Sequence, residues 1–116
     1  MTVLRVLVVE DDALVGMYLA ELLMGMGYNI CAIAATEAEA VMAALRDRPD
    51  LMIVDARLRD GSGIAAVTQI LQNLQIPYVF VSGDIASVRE ELPHAVVLRK
   101  PFLESELASA IRRACV

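Results

Sequence analysis

The sequence lacks an apolar run long enough to cross a bilayer. Its longest, Ala13 to Ala20, falls far short of the roughly 18 residues required, so no membrane insertion is expected. The segment Met1-Thr2-Val3-Leu4-Arg5 lacks a basic stretch leading into an apolar signal region and a small-residue cleavage site. Export is therefore not expected, and the cytoplasm is the expected location. Cysteine is scarce. Cys31 and Cys115 have neither metal-ligand nor redox spacing and read as buried or bystander thiols in a reducing compartment. Positive charge is in deficit too: ten Lys and Arg against fifteen Asp and Glu give a net charge of -5. That sign repels phosphate backbones, so direct nucleic-acid binding is not expected. There is no internal repeat, low-complexity segment or Pro/Gly/Ser-rich linker, and 116 residues suit one domain, expected over residues 1–116.

Apolar residues are plentiful, at 58% of the chain against about 45 to 50% in a typical soluble domain. They fall in short β-rich runs alternating with helical patterns, which predicts an α/β domain around a parallel sheet covered on both faces. The first strand is predicted at about Leu4 to Val9 and a helix from Ala13 to about Met26, with an inner stripe of Val15, Leu19, Leu22, Leu23 and Met26. Gly27 ends that helix. A second strand, about Asn29 to Ala34, precedes the capping pattern Thr36 and Glu39 and a helix to about Arg46. Pro49 and Asp50 turn the chain into a third strand ending at Asp55, and a third helix starts near Ser62. Pro77 opens the fourth strand, which runs to Ser82, and the fifth is placed at about Ala95 to Arg99. Only about a dozen residues separate those two, leaving room for a fourth helix of two turns at most, short or disordered. Leu103, Leu107 and Ile111 mark the last helix.

Polar groups stand where the strands end. Val6 to Val9 runs into Glu10, Asp11 and Asp12; Leu51 to Val54 into Asp55; Val79 to Val81 into Ser82; and Val96 to Leu98 into Arg99, Lys100 and Pro101. In open parallel sheets ligands bind outside the carboxyl ends of the strands, so these groups are expected to converge on one rim. Taken singly each has a plain structural explanation. Asp12 is most simply a helix N-cap, Asp55 with Asp60, Gly61 and Gly63 suits a turn, and Lys100 alone is a solvated charge.

In this order, Glu10-Asp11, Asp55, Ser82 and Lys100-Pro101-Phe102 resemble the receiver domain of two-component response regulators over essentially the whole chain. The resemblance implies a doubly wound, flavodoxin-like five-stranded sheet of order 2-1-3-4-5. It implies that Asp55 accepts a phosphoryl group, that Mg²⁺ is held by Asp11, Asp55 and the backbone carbonyl of Arg57, and that Glu10 reaches the metal through water. Lys100 would pair with a phosphoryl oxygen, and its bond to Pro101 is cis in that family. Ser82 would donate its hydroxyl to another oxygen and draw in the loop behind it.

Two departures from that family's usual pattern stand out. Where many receivers carry a swinging aromatic ring, this chain has Val97, which is stiff at its first torsion. The stretch Pro77 to Asp84 resembles an atypical subgroup with a Pro-aromatic-x-aromatic-Ala-Thr-Gly signature, often single-domain, in which the fourth-helix segment is expected to be mobile and ordered by phosphorylation. A further feature is the outer side of helix 1, where Gly16, Met17, Ala20 and Met24 are apolar. Met17, Ala20 and Met24 are expected to help dock the sensor histidine kinase or histidine phosphotransfer protein that supplies the phosphoryl group. The expected function is a phosphoacceptor switch, not an enzyme acting on another substrate, that signals by contact with a protein target. A phosphate sink for a shared kinase is the first rival. A phosphohydrolase with an aspartyl nucleophile is the second, but it needs an acid two residues after the nucleophile, where this chain has Arg57.

Overall fold

The computed structural model describes residues 3–116. Five parallel strands, β1 (Arg5–Val9), β2 (Asn29–Ala34), β3 (Leu51–Asp55), β4 (Tyr78–Ser82) and β5 (Val97–Arg99), lie in the order β2-β1-β3-β4-β5. The helices between and after them are α1 (Ala13–Gly25), α2 (Glu37–Asp47), α3 (Gly63–Ile70), α4 (Ile85–Glu91) and α5 (Glu104–Ala114). This is the doubly wound, flavodoxin-like fold expected.

Strand side chains alternate between two cores because successive residues point to opposite faces. Leu7, Val9, Met52, Val54 and Phe80 pack with Ala40 and Ala44 of α2, Val67 and Ile70 of α3, and Val88 of α4. Val6, Val8, Ile53, Val79 and Val81 pack on the other face with Leu19 and Leu23 of α1 and Leu107, Ala110 and Ile111 of α5. Cys31 sits at an irregularity in the pairing of β1 with β2, and its thiol donates to the Val6 carbonyl at 3.3 Å. It is half-buried, and that burial pushes its pKa up.

The caps follow from local chemistry. Asp12 accepts from the N–H groups of Leu14 and Val15, and Ser62 from those of Ile64 and Ala65. Thr36 accepts from Glu39, whose carboxylate in turn accepts from Ala35, one residue earlier than a strict capping box requires.

Three expectations need correction. Helix α1 is rotated from the predicted stripe: Gly16 and Ala20 are buried, Ala20 to 5% exposure, while Val15 is exposed and Met17 (56%) and Met24 (52%) face outward. Ala20 therefore cannot contribute to an outer docking face. The reason is steric. A helix that is apolar all round does not fix its own phase, and the small residues allow the closest approach; a Cβ on Gly16 would lie 3.1 Å from Cγ2 of Ile33 in β2. Leu103 does not face inward either. It occupies the N-cap position of α5 and is exposed, with its N–H bonded to Glu106 at 2.7 Å. The fourth helix is short, one of the two expected forms, with Asp84 as its N-cap. Strand β5 begins two residues later than predicted.

Glycine is needed where the chain leaves β3. A Cβ on Gly63 would run into the carbonyl of Asp55, whereas one on Gly25 would meet nothing. Gly63→Ala is expected to cost about 1 to 3 kcal/mol. Gly25→Ala should instead stabilise by about 0.5 to 1 kcal/mol, because alanine loses less backbone entropy in a helix. Urea melts of the two variants beside the parent would check both signs.

Candidate functional site

Strands β1 and β3 are neighbours, while the chain crosses from β1 outward to β2 and from β3 outward to β4. That reversal opens a crevice above their carboxyl ends. Glu10 and Asp11 follow the last residue of β1, and Asp55 is the last residue of β3. Oxygens from these three carboxylates lie within 4.8 Å of one another. Lys100 reaches in from the end of β5, its Nζ 2.8 Å from Asp55 Oδ2 and 3.1 Å from Glu10 Oε1. Its peptide bond to Pro101 is cis.

The loop from β3 to α3 closes over the acids. Arg57 donates its backbone N–H to Asp55 Oδ1 at 3.0 Å, and Arg59 donates its own to Asp11 Oδ2 at 2.6 Å. The Arg59 guanidinium lies 3.8 Å from the same oxygen. Glu37 of α2 braces the loop by accepting from the Ser62 N–H at 2.9 Å and from the Gln69 side chain at 2.8 Å. The role of Arg59 was not readable from the sequence, because a backbone N–H carries no residue signature. Nor was that of Glu37, which lies 25 residues from its partner Ser62.

Ser82 ends β4 beside this group, and its carbonyl accepts from the Lys100 N–H at 2.9 Å. Its hydroxyl is occupied elsewhere, donating to the Asp84 carbonyl (3.2 Å) and accepting from the Asp84 N–H (3.0 Å). Glu10, Asp11, Asp55 and Lys100 are thus assembled, Arg57 sits over them by its backbone, and the Ser82 side chain points its bonds away. A cavity of about 420 Å³ adjoins them, lined by Val15, Tyr18 and Leu19 of α1, Phe102 after β5, and the site residues Glu10, Asp55 and Lys100.

Electrostatically the cluster is short of positive charge. Glu10 is 4% exposed; burial first, then the neighbouring Asp55 carboxylate, raises its pKa to about 7 despite the opposing pull of Lys100. Burial also works against the Lys100 ammonium, but its hydrogen bonds to Asp55 and Glu10 outweigh that and raise its pKa. The Arg59 backbone N–H holds Asp11 below the usual carboxylate range. Three close carboxylates with a single ammonium, all oxygen donors, suit a small hard divalent cation.

The receiver-domain model of response regulators matches residues 6–112. The chain belongs to the response regulator receiver domain family. It is 33% identical over 114 residues to the phyllosphere-induced regulator PhyR of Methylorubrum extorquens, covering 95% of this chain and 43% of that protein. It is 37% identical over 114 residues to the transcriptional regulatory protein PdtaR of Mycobacterium tuberculosis, covering 95% and 56%. A crystal structure of the anti-anti-sigma factor PhyR from Bartonella quintana superposes with a TM-score of 0.83 at 30% identity, over 98% of this chain and 48% of that one. The chain spans about half the length of the curated relatives it matches. Receiver domains are signalling switches, not enzymes acting on a separate substrate, and they bind Mg²⁺ through acidic residues. Among the described residues no helix is long and apolar enough to cross a membrane.

The raised pKa of Glu10 fixes a direction for pH dependence. With a folded value near 7 against 4.5 for the free side chain, this group favours the folded state below about pH 4.5. That contribution fades as pH rises through 7, by up to about 3 kcal/mol. In EDTA, Glu10→Gln should therefore unfold at higher urea than the parent at pH 8, and the gap should shrink at pH 5. Added Mg²⁺ should stabilise the parent more than the variant at pH 8. A pH-independent gap would contradict this account.

Proposed function

We propose that this receiver takes a phosphoryl group from a phosphohistidine donor onto Asp55 and signals the change by protein contact. The observation that carries the reading is the ammonium of Lys100 held 2.8 Å from a carboxylate that ends a central strand beside two further acids. An Asp55 oxygen attacks phosphorus, the new O–P bond forms as the N–P bond breaks, and the electron pair stays on the imidazole nitrogen. Carboxylate and phosphoryl are both anionic, so the site has to supply positive charge. Mg²⁺, held by Asp11, Asp55 and the backbone carbonyl of Arg57, with Glu10 acting through water, would offset that charge. Lys100 already touches Asp55 and would follow the phosphoryl oxygens as a point charge. Ser82 would turn its hydroxyl from Asp84 to a phosphoryl oxygen.

The donor is a sensor histidine kinase or a histidine phosphotransfer protein. Its helices would meet α1, where Leu14, Met17, Tyr18 and Met24 are exposed and Tyr18 lines the cavity at the site; flexible methionines suit a surface that adapts to a partner. A protein target, not DNA, would read the modified form, in keeping with the net charge of -5. The cytoplasm, the expected location, completes this reading.

Incubation with acetyl phosphate and intact-mass spectrometry test it. The protein should gain one phosphoryl group when Mg²⁺ is present and none in EDTA, and Asp55→Asn should gain none. Lys100→Met should be modified at least about tenfold more slowly, as expected for loss of a charge contact made in the transition state. Rapid loss of the label with no phosphorylation-dependent partner would favour the phosphate sink.

A further inference from the structure

Val97 is buried in the core, and a stiff β-branched side chain cannot carry a signal by swinging. Another connection leads from Asp55 to α4. Arg57, tied by its N–H to Asp55 Oδ1, sends its guanidinium away from the acids and onto the first turn of that helix. Nη2 lies 3.2 Å from Ser87 Oγ and 3.5 Å from Asp84 Oδ2. Asp84 is a hub. Its Oδ1 caps α4 through the Ser87 N–H at 3.1 Å, and its backbone N–H and carbonyl both bond the Ser82 hydroxyl.

We propose that Arg57 is a positioning residue that latches the start of α4 in the resting protein and hands phosphorylation of Asp55 on to that helix. The inference rests on the reading of Asp55 as the acceptor. Ser82 has a single hydroxyl proton, so donating it to a phosphoryl oxygen breaks its bond to the Asp84 carbonyl. A phosphoryl group also adds about -1.5 to -2 charges beside the Arg57 backbone, and a guanidinium prefers such a group to one carboxylate oxygen at 3.5 Å. Both ties to Asp84 therefore weaken together. The latch is suited to release because it is a surface contact: the Arg57 and Asp84 side chains are largely exposed, and such pairs are weak. The balance can be tipped by one modification.

The test is NMR with amide hydrogen exchange on the parent, Arg57→Ala, Ser87→Ala and the double variant, titrated with fluoroberyllate as a phosphoryl mimic in Mg²⁺. Ser87→Ala removes the shorter contact and leaves the Ser87 N–H cap in place. In the resting state both single variants should exchange the amides of residues 85–91 about two- to fivefold faster. The double variant should add little to Arg57→Ala, which already removes the Arg57–Ser87 contact along with the one to Asp84. Amides of β1 and α5 should be unaffected. Fluoroberyllate should bring the parent's α4 amides to the level of the variants. By reciprocal linkage Ser87→Ala should bind the mimic about two- to fivefold tighter, as only its resting state loses a tie. Unchanged α4 exchange in both single variants would overturn the latch. So would fluoroberyllate shifts at Asp55 and Lys100 that leave the α4 amides of the parent where they were. No fluoroberyllate response at Asp55 in the parent would overturn the acceptor reading, and the latch with it.

Discussion

Three carboxylates gathered within 4.8 Å of one another, two of them bonded to one ammonium, constrain everything else in this molecule. Burial of Glu10 is the larger penalty and the neighbouring Asp55 carboxylate adds to it, which is why its pKa moves to about 7. The surrounding structure offsets the repulsion piecemeal: Lys100 serves Glu10 and Asp55, and backbone N–H groups of Arg57 and Arg59 serve Asp55 and Asp11. What remains uncompensated is negative charge that a divalent cation can offset. A site left slightly unsatisfied in this way is poised for binding.

Holding such a cluster in place needs a rigid frame. The strands supply it by sealing their side chains into two cores, so that β1 and β3 end in register and present Glu10, Asp11 and Asp55 at one level. The loop beyond β3 is fitted as tightly. Gly63 passes directly over the Asp55 carbonyl, and Glu37 pins the turn from the neighbouring helix. By contrast α4 is two turns long and held at its start by exposed polar contacts. Rigidity at the acids and weak tethering at α4 are complementary, since a fixed chemical event moves only what is loosely attached.

Much of this could be read along the chain. Short continuous apolar runs ending in Glu10, Asp55, Ser82 and Lys100 marked both the strands and the rim, because a strand buried on both faces tolerates polar residues only where it stops. Asp12 and Thr36 announced their helices through cap chemistry that needs only local neighbours. The phase of α1 was not readable in this way. Its residues are apolar on every side, so hydropathy could not distinguish Val15, which lines a cavity, from Ala20, which packs inward. Leu103 misled for a similar reason: its spacing matched the inner stripe of α5, yet it lies one residue before the helix begins.

The order and chemistry of the side chains thus determined which elements form and which polar groups gather at the rim of the sheet. Only the tertiary structure decided how those groups are engaged. It turned the Ser82 hydroxyl toward Asp84, sent the Arg57 guanidinium to Ser87, and placed the N–H of Arg59 on Asp11. These contacts join residues from separate strand ends and loops, and several use backbone atoms that every residue type carries. A linear pattern records the identity of a side chain. The direction in which it spends its hydrogen bonds is set by which neighbours the folded sheet brings within 3 Å or so.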